Sequence, residues 1–389
     1  MKNVQRNNYR PLPLCDTHFH LIYPETVEST INIFREITDY FDISRITMNC
    51  ISCGSGHRSI DFPNNVKGIY VRDRLNEARA DSAFVYGSFT HLFDGTDTAE
   101  SYLALVKRLY DIGFDGFKML EGKPEFRKKL GHPLCDEIFD KSYAFMEEAG
   151  FPVKMHLGDP YTAWGPKESI SPYALSRGWW YGDGTYPSFE ELHEEVYGVM
   201  KKFPKLKLCL AHFFFLGHNT DELRRFFDTY ENVSVDLTPG ASMFKGFTEH
   251  YNDAVKFFED YPDRIFFGSD TYNRPVEGDA FDKYEQSGDA GHRINLVRHC
   301  LEKSEDMEIE EGRLGFFKPL NLSDKVLRDI YYGNHTRLHP AVRNTDKALA
   351  RAYAEEMLEI INCDFHKFAV PEEKETEEQN LRTIIGYYS

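Results

Sequence analysis

The chain has 389 residues, 41% of them hydrophobic and 15% aromatic, which is enough apolar surface for one large packed domain or two ordinary ones. With 63 acidic against 46 basic residues it carries a net charge of −17, which argues against nucleic acid and anionic membranes as partners. No apolar run is long enough to cross a bilayer, and the N-terminal MKNVQRNNYRPLPL has no signal-peptide core, so a cytoplasmic protein is expected.

In chain order, short apolar or β-branched runs alternate with stretches of helical period. PLPLCDTHFH (11–20) reads as a strand and leads into the helix candidate TVESTINIFREITDYF. RITMNCI (45–51) and SAFVYGSF (82–89) are the next strands, followed by the helix AESYLALVKRLYDIG. DGFKML (115–120) precedes the helix CDEIFDKSYAFMEEAG, and Gly113 and Gly150 stand where helix C-caps are expected. FPVKMHL (151–157), LKLCLAH (206–212), NVSVDLT (232–238) and RIFFGSD (264–270) complete the strands, with SFEELHEEVYGVMKKF and TDELRRFFDTYE as helices between them. Eight strands alternating with helices predict an α/β fold, a (β/α)8 TIM barrel, rather than an open doubly wound sheet. No glycine-rich dinucleotide loop follows the first strand.

The whole chain, 1–389, reads as a single domain with its barrel core at about 11–340. Beyond it, NTDKALARAYAEEMLEII (344–361) predicts an extra helix, packed on the barrel or lent to a dimer contact, and PEEKETEEQN (371–380) reads as a solvated acidic tail. Two connections are unusually long and distort the barrel: 161–188, which holds all three tryptophans, and 271–293. Both leave C-terminal strand ends, the catalytic face of such barrels. The seven cysteines are odd in number and scattered, as reduced core thiols are. CISC (50–53) has redox-motif spacing, yet no second pair completes a zinc site.

His18 and His20 end strand one, one residue apart, so both point to the same face. Such a pair is either aimed at a metal ion or simply set side by side on a polar strand end. His156 ends strand five, His212 strand six and Asp270 strand eight. Five such residues on C-terminal strand ends can meet at a barrel mouth, and imidazole with carboxylate is the donor set of zinc and its first-row neighbours.

DTHFH, VKMHLGDP, LCLAHFFFLG, VSVDLTP, RIFFGSD and IYYGNHTRL together resemble the amidohydrolase superfamily. The likeness is to its amidohydrolase-related branch, which includes aminocarboxymuconate-semialdehyde decarboxylase, and runs from about Leu14 to Leu338. The resemblance implies a distorted TIM barrel with one or two divalent metals, usually zinc (Mn2+ being an alternative), here one per chain. It implies His18, His20 and His156 as ligands, Asp270 as ligand or general base, and His212 as a group that binds the metal weakly or orients water or substrate. Catalysis would then rest on Asp270 and His212. The implied activity is metal-dependent hydrolysis of a small carboxylated substrate, with decarboxylation or hydration of an unsaturated or aromatic carboxylate as the alternative. A ligand-binding barrel without catalysis is a third reading, against which the intact ligand set speaks. Family members often form homodimers.

Lys118 ends strand four, where some superfamily members carry a carboxylated lysine between two metals; the other reading is a lysine that binds a substrate carboxylate. Glu121 and Arg127 follow in a loop that either reaches substrate or is a solvated charge run. Trp164 and Trp180 would supply an aromatic lid or a subunit interface, with Arg177 and Arg293 as anion anchors in the two long loops. Lys154, two residues before His156, should face the barrel interior and pair there with Asp16.

Overall fold

Residues 9–52, 63–90, 97–276, 278, 289–309, 315–362 and 371–389 are described by the structure, a computed structural model. Its main strands are β1 (Leu14–Leu21), β2 (Ile43–Cys50), β3 (Ala83–Ser88), β4 (Gly116–Gly122), β5 (Val153–Leu157), β6 (Leu208–Leu210), β7 (Val233–Asp236), β8 (Ile265–Phe266) and β9 (Thr271–Tyr272). They form one parallel sheet in the order β8-β7-β6-β5-β4-β3-β2-β1-β9. β1, β3 and β4 are buried at every residue, because a parallel sheet is covered on both faces. The polar residues that these strands carry are therefore out of water, and each needs a partner.

The strand expected over 264–270 is split. β8 pairs with β7 (Val235 opposite Ile265), whereas β9 pairs with β1 (Phe19 opposite Thr271). Between them the Thr17 N–H donates to Phe267 O at 3.0 Å. The two edges of the sheet are thus neighbours in sequence, and the sheet curls round on itself. Asp270 sits at the break with φ +61, a left-handed conformation that Asp adopts more readily than most residues.

Helices cover the outside and start where the sequence offers caps. Thr26 Oγ1 accepts the Ser29 N–H at the head of Val27–Phe41, and Ser188 and Glu191 form a capping box for Phe189–Lys202. Ala99–Ile112 ends at Gly113, whose φ is +107 and whose added Cβ would lie 2.1 Å from Asn344 O; no other residue fits there.

The acidic stretch beginning at 371 is not a solvated tail. Pro371–Tyr387 is a helix that buries a stripe of Glu377, Asn380, Leu381 and Ile384. Lys67 Nζ meets Glu377 Oε1 at 2.6 Å with neither side chain more than 1% exposed. Asn380 Oδ1 accepts the Val27 N–H at 2.9 Å, so the C-terminal helix caps Val27–Phe41. Lys67 belongs to Asn64–Ala78, a helix without an amphipathic pattern because Asn64, Asn65, Lys67 and Arg72 are all buried in it. The helix expected over 344–361 spans Lys347–Asn362 and turns Ala350, Tyr353, Ala354, Met357 and Ile361 inward.

Candidate metal centre

His18 and His20 leave the same face of β1 and are both buried, with Nε2 atoms 3.0 Å apart. Asp270 Oδ1 lies 3.0 Å from His20 Nε2 and 3.9 Å from His18 Nε2. Their donor atoms all fall within 4.8 Å of one another, the one such group among the described residues. Gly268 makes room for this approach, since a Cβ there would come within 3.0 Å of His18 Cβ and Thr238 Oγ1.

One residue, to which the sequence reading gave no role, organises the centre. Asp236, fully buried at the end of β7, accepts from His18 Nδ1 (2.7 Å) and Lys154 Nζ (2.9 Å) on Oδ2. Its Oδ1 accepts the backbone N–H of His212 (3.0 Å), the N–H of Thr238 and the Thr238 hydroxyl. Burial alone would raise the Asp236 pKa; Lys154 and His18 outweigh it and hold the carboxyl well below the usual range. A carboxylate at Nδ1 fixes the proton of His18 there and leaves Nε2 bare toward the cluster, the arrangement that metal-bound histidines require. Lys154 therefore pairs with Asp236 rather than with Asp16, and its ammonium also donates to Thr17 O and Thr17 Oγ1. Asp16 instead accepts the N–H groups of His18 and Ser269 on Oδ1, and burial pushes its carboxyl up to about 6.

β6 stops at Leu210, two residues short of His212. His212, Phe213, Phe214 and Phe215 then take φ values of +56, +54, +56 and +53, a left-handed turn. At about 1–2 kcal/mol per residue, such a turn persists only where its surroundings over-determine it. The three phenylalanine rings are splayed into separate packing sites. Phe213 lies against Phe247, Phe257 and Phe258, Phe214 against His193 and Phe226, and Phe215 stacks on the His212 ring. The result aims His212 at His156, with Nε2 3.2 Å from His156 Nδ1, and its ring centroid lies 5.9 Å from that of His18. His156 Nε2 is 3.0 Å from Gly158 O, so His156 adjoins the three-residue group through His212 rather than forming part of it.

Two imidazole nitrogens and a carboxylate oxygen at these separations fit zinc or a first-row neighbour, and burial keeps both imidazoles neutral by lowering their pKa. Lys118 Nζ, 3.2 Å from His18 Nε2, contests the same lone pair. Burial, reinforced by Lys154, lowers its pKa to about 8, so this ammonium discharges readily.

Around the cluster, Arg293 donates to Asp270 Oδ2 (2.8 Å) and to the Tyr272 hydroxyl (2.8 Å). It projects from the helix Asp289–Glu302 rather than from a loop. Burial would raise the Asp270 pKa, but Arg293 and His20 hold it well below the usual range. Arg127 is engaged by Glu195, with Nε 2.9 and 3.0 Å from the two oxygens. Glu121 is buried with Tyr102 and Tyr143 as charge neighbours, in the layer between sheet and helices. Trp164 packs on Tyr181 and Phe189 and donates to Pro187 O, Trp180 donates to Gly165 O, and Arg177 is exposed over the Trp179 ring. The long loop is tied down by a residue that sequence reasoning did not single out: Asp159 accepts from Tyr181 Oη (2.5 Å) and Lys123 Nζ (3.2 Å). The GDP that follows His156 and its strand was the signal available for it.

A family model described as amidohydrolase matches residues 61–340. No curated protein matches the chain. Among solved structures, an uncharacterised TIM-barrel protein, Bb4693 from Bordetella bronchiseptica, is similar with a TM-score of 0.50 and 14% identity over 87% of this chain and 99% of that one. The 4-oxalomesaconate hydratase LigJ from Rhodopseudomonas palustris has a TM-score of 0.45 at 15% identity, covering 89% of this chain and 99% of that one. The 5-carboxyvanillate decarboxylase LigW from Sphingomonas paucimobilis also has a TM-score of 0.45, at 11% identity, over 85% and 100%. The Bb4693 likeness speaks for the fold, a curled parallel α/β sheet of the TIM-barrel kind. Because the family model covers more than half of its residues, the chain belongs to the amidohydrolase family.

Proposed function

We propose that this protein is a metal-dependent hydrolase that holds one divalent cation, zinc or a neighbour such as Mn2+, at His18, His20 and Asp270. His156, beside this group through His212, would be the further imidazole available to hold the cation. The observation that carries the reading is the bare Nε2 of His18, fixed by Asp236 at Nδ1 and set 3.0 Å from His20 Nε2. With β8 and β9 counted as one interrupted strand, the sheet reads as an eight-strand barrel whose seam lies beside this group.

When bound, a cation with an open position polarises a carbonyl oxygen and lowers the pKa of water from 15.7 to about 7. The rest falls to the chain. Asp270 Oδ1 faces the cluster and takes the proton of the attacking water, later returning it to the leaving group, while Arg293 orients the carboxylate through Oδ2. His212 donates to the oxygen on which charge develops. Lys118, as an ammonium below pH about 8, pairs with a substrate carboxylate. The substrate is thus a small carboxylated amide, lactone or related carbonyl compound. Trp164 and Trp180 belong to the loop that covers it, with Arg177 at its outer edge.

A second reading, a lyase that decarboxylates or hydrates an unsaturated or aromatic carboxylate, draws on the same Arg293–Asp270 pair. The net charge of −17 supports a small-molecule substrate over nucleic acid or a membrane surface, and we place the enzyme in the cytoplasm as a homodimer. No helix among the described residues is long and apolar enough to cross a membrane.

Metal analysis of the purified protein tests the first claim: one equivalent per chain is expected, lost in His18→Ala, and a metal-free wild type that takes up no zinc refutes it. Turnover of small carboxylates in oxygen-18 water separates the readings: solvent oxygen in a carboxylate newly cleaved from its amide or ester partner for hydrolysis, carbon dioxide release for decarboxylation, and solvent oxygen as a hydroxyl on an unbroken carbon skeleton for hydration.

A further inference from the structure

His193 lies on Phe189–Lys202, is 2% exposed, and is sandwiched between the rings of Phe189 (centroids 4.2 Å apart) and Phe214 (4.3 Å). Its Nδ1 is 2.8 Å from Phe189 O, one turn back in its own helix, and its Nε2 is 3.1 Å from Phe214 O. Both partners are carbonyl oxygens, which only accept. A neutral imidazole has one N–H and can satisfy only one of them, leaving a lone pair set against a lone pair at the other. An imidazolium donates to both. Phe214 O is no ordinary acceptor, for it belongs to the left-handed turn that aims His212 at the mouth. Within the turn the Leu216 N–H answers Phe213 O at 3.0 Å, and at Phe214 O it is His193 Nε2, from the neighbouring helix, that stands within hydrogen-bond reach.

We infer that His193 is a positioning residue for His212, holding the left-handed turn through a charged imidazole that donates to Phe189 O and Phe214 O together. The inference rests on the reading of His212 as a working group of the mouth. The titratable groups facing His193 are His218, on the other side of Phe189, and Tyr197, one turn further along the same helix. Glu222 accepts from the Tyr197 hydroxyl and also acts on His218, as does His250. Glu222 is the carboxylate of this set. With a single ring N–H one of the two carbonyls would lose its donor and the turn would loosen, so the orientation of His212 depends on a residue that never meets substrate.

The test is nitrogen-15 NMR of the histidine side chains in the full-length, metal-free protein, titrated across neutral pH. Both His193 ring nitrogens are expected at protonated positions, with the His212 resonances moving wherever one of them becomes bare. H193F keeps the ring sandwich without either donor, so its His212 resonances should leave their wild-type positions. H193Q, which restores one donor toward Phe214 O, should bring them part of the way back. A bare His193 ring nitrogen throughout the range overturns the proposal, even should H193F fail to fold. So do unchanged His212 resonances in a folded H193F. Zinc uptake, measured in parallel, separates the two readings: wild type that binds no zinc sinks the metal centre and leaves the clamp standing.

Discussion

Replacing Asp236 by Asn changes one atom and tests the logic of the whole centre. The amide oxygen can keep the N–H groups of His212 and Thr238, but the new NH2 faces His18 Nδ1 and Lys154 Nζ, both of which are donors in the wild type. His18 Nδ1–H then keeps only the Thr238 hydroxyl oxygen as acceptor (2.7 Å), which no longer excludes the tautomer with its proton on Nε2, the atom that faces the cation. Outer partners of ligand histidines govern metal affinity by about 10- to 100-fold, so zinc binding in D236N should weaken by about 1.4–2.8 kcal/mol. Lys154 is meanwhile left as a buried ammonium without its counter-charge, a loss of about 3–5 kcal/mol in stability. The retained contacts to Thr17 O and Thr17 Oγ1 place the outcome at the lower end of that range. Zinc titration against a competing chelator measures the first effect and urea unfolding of the metal-free protein the second. The double variant D236N/K154M separates them: stability should largely return, because the stranded charge is gone, while zinc affinity stays low, because the His18 tautomer is still not fixed. A D236N protein that binds zinc as tightly as wild type would refute the tautomer argument.

Other perturbations probe the frame. Glu377→Ala leaves Lys67 charged, fully buried and alone, and should cost about 3–5 kcal/mol in urea unfolding, whereas K67M/E377M should cost less than either single change. Lys118 has its folded pKa lowered from 10.5 to about 8, so between those values the unfolded chain binds more protons and stability rises with pH. Metal-free wild type should therefore gain roughly 3 kcal/mol over that window relative to K118M, by the conversion of about 1.4 kcal/mol per pK unit, and parallel curves would disprove it. Asn273 accepts the N–H groups of Ile22 and Tyr23 and donates to Tyr23 O and Thr30 Oγ1. Asn273→Ala should lower stability by about 2–4 kcal/mol, through several buried groups left unpaired, and expose the 22–26 segment to proteolysis.

Most strands and the capped helices were legible within a residue or two, because runs such as SAFVYGSF and cap residues such as Thr26 and Ser188 are local signals. What escaped depends on partners distant in sequence. Alternation correctly turned Lys154 inward, yet choosing between Asp16 and Asp236 required the sheet order, which puts one on β1 and the other on β7. LKLCLAH reads as strand through His212, and no glycine or asparagine announces the left-handed turn; packing of three phenylalanines imposes it against local preference. Asn64–Ala78 shows no stripe, since a helix buried nearly all round with polar residues has no period to detect. The histidine pair, Asp270 and their meeting could be read from strand-end positions alone. Glu121 and Arg127 could not be placed, because a charged residue after a strand points to the mouth or to the helix layer according to a β-bulge such as the one between Met119 and Gly122.

The interrupted last strand has a mechanical consequence. Two of the three clustered donors stand on one lip of the sheet's seam and the third at the kink on the other, so a cation bound there as proposed would work as a rivet. Prising the seam apart would then tear the ligation, and loading the ion would slow hydrogen exchange there first, at the amides of Thr17 and Asn273 that bridge it. On the proposed reading, ion uptake and the holding of the curled sheet's edges together are one equilibrium seen from two sides.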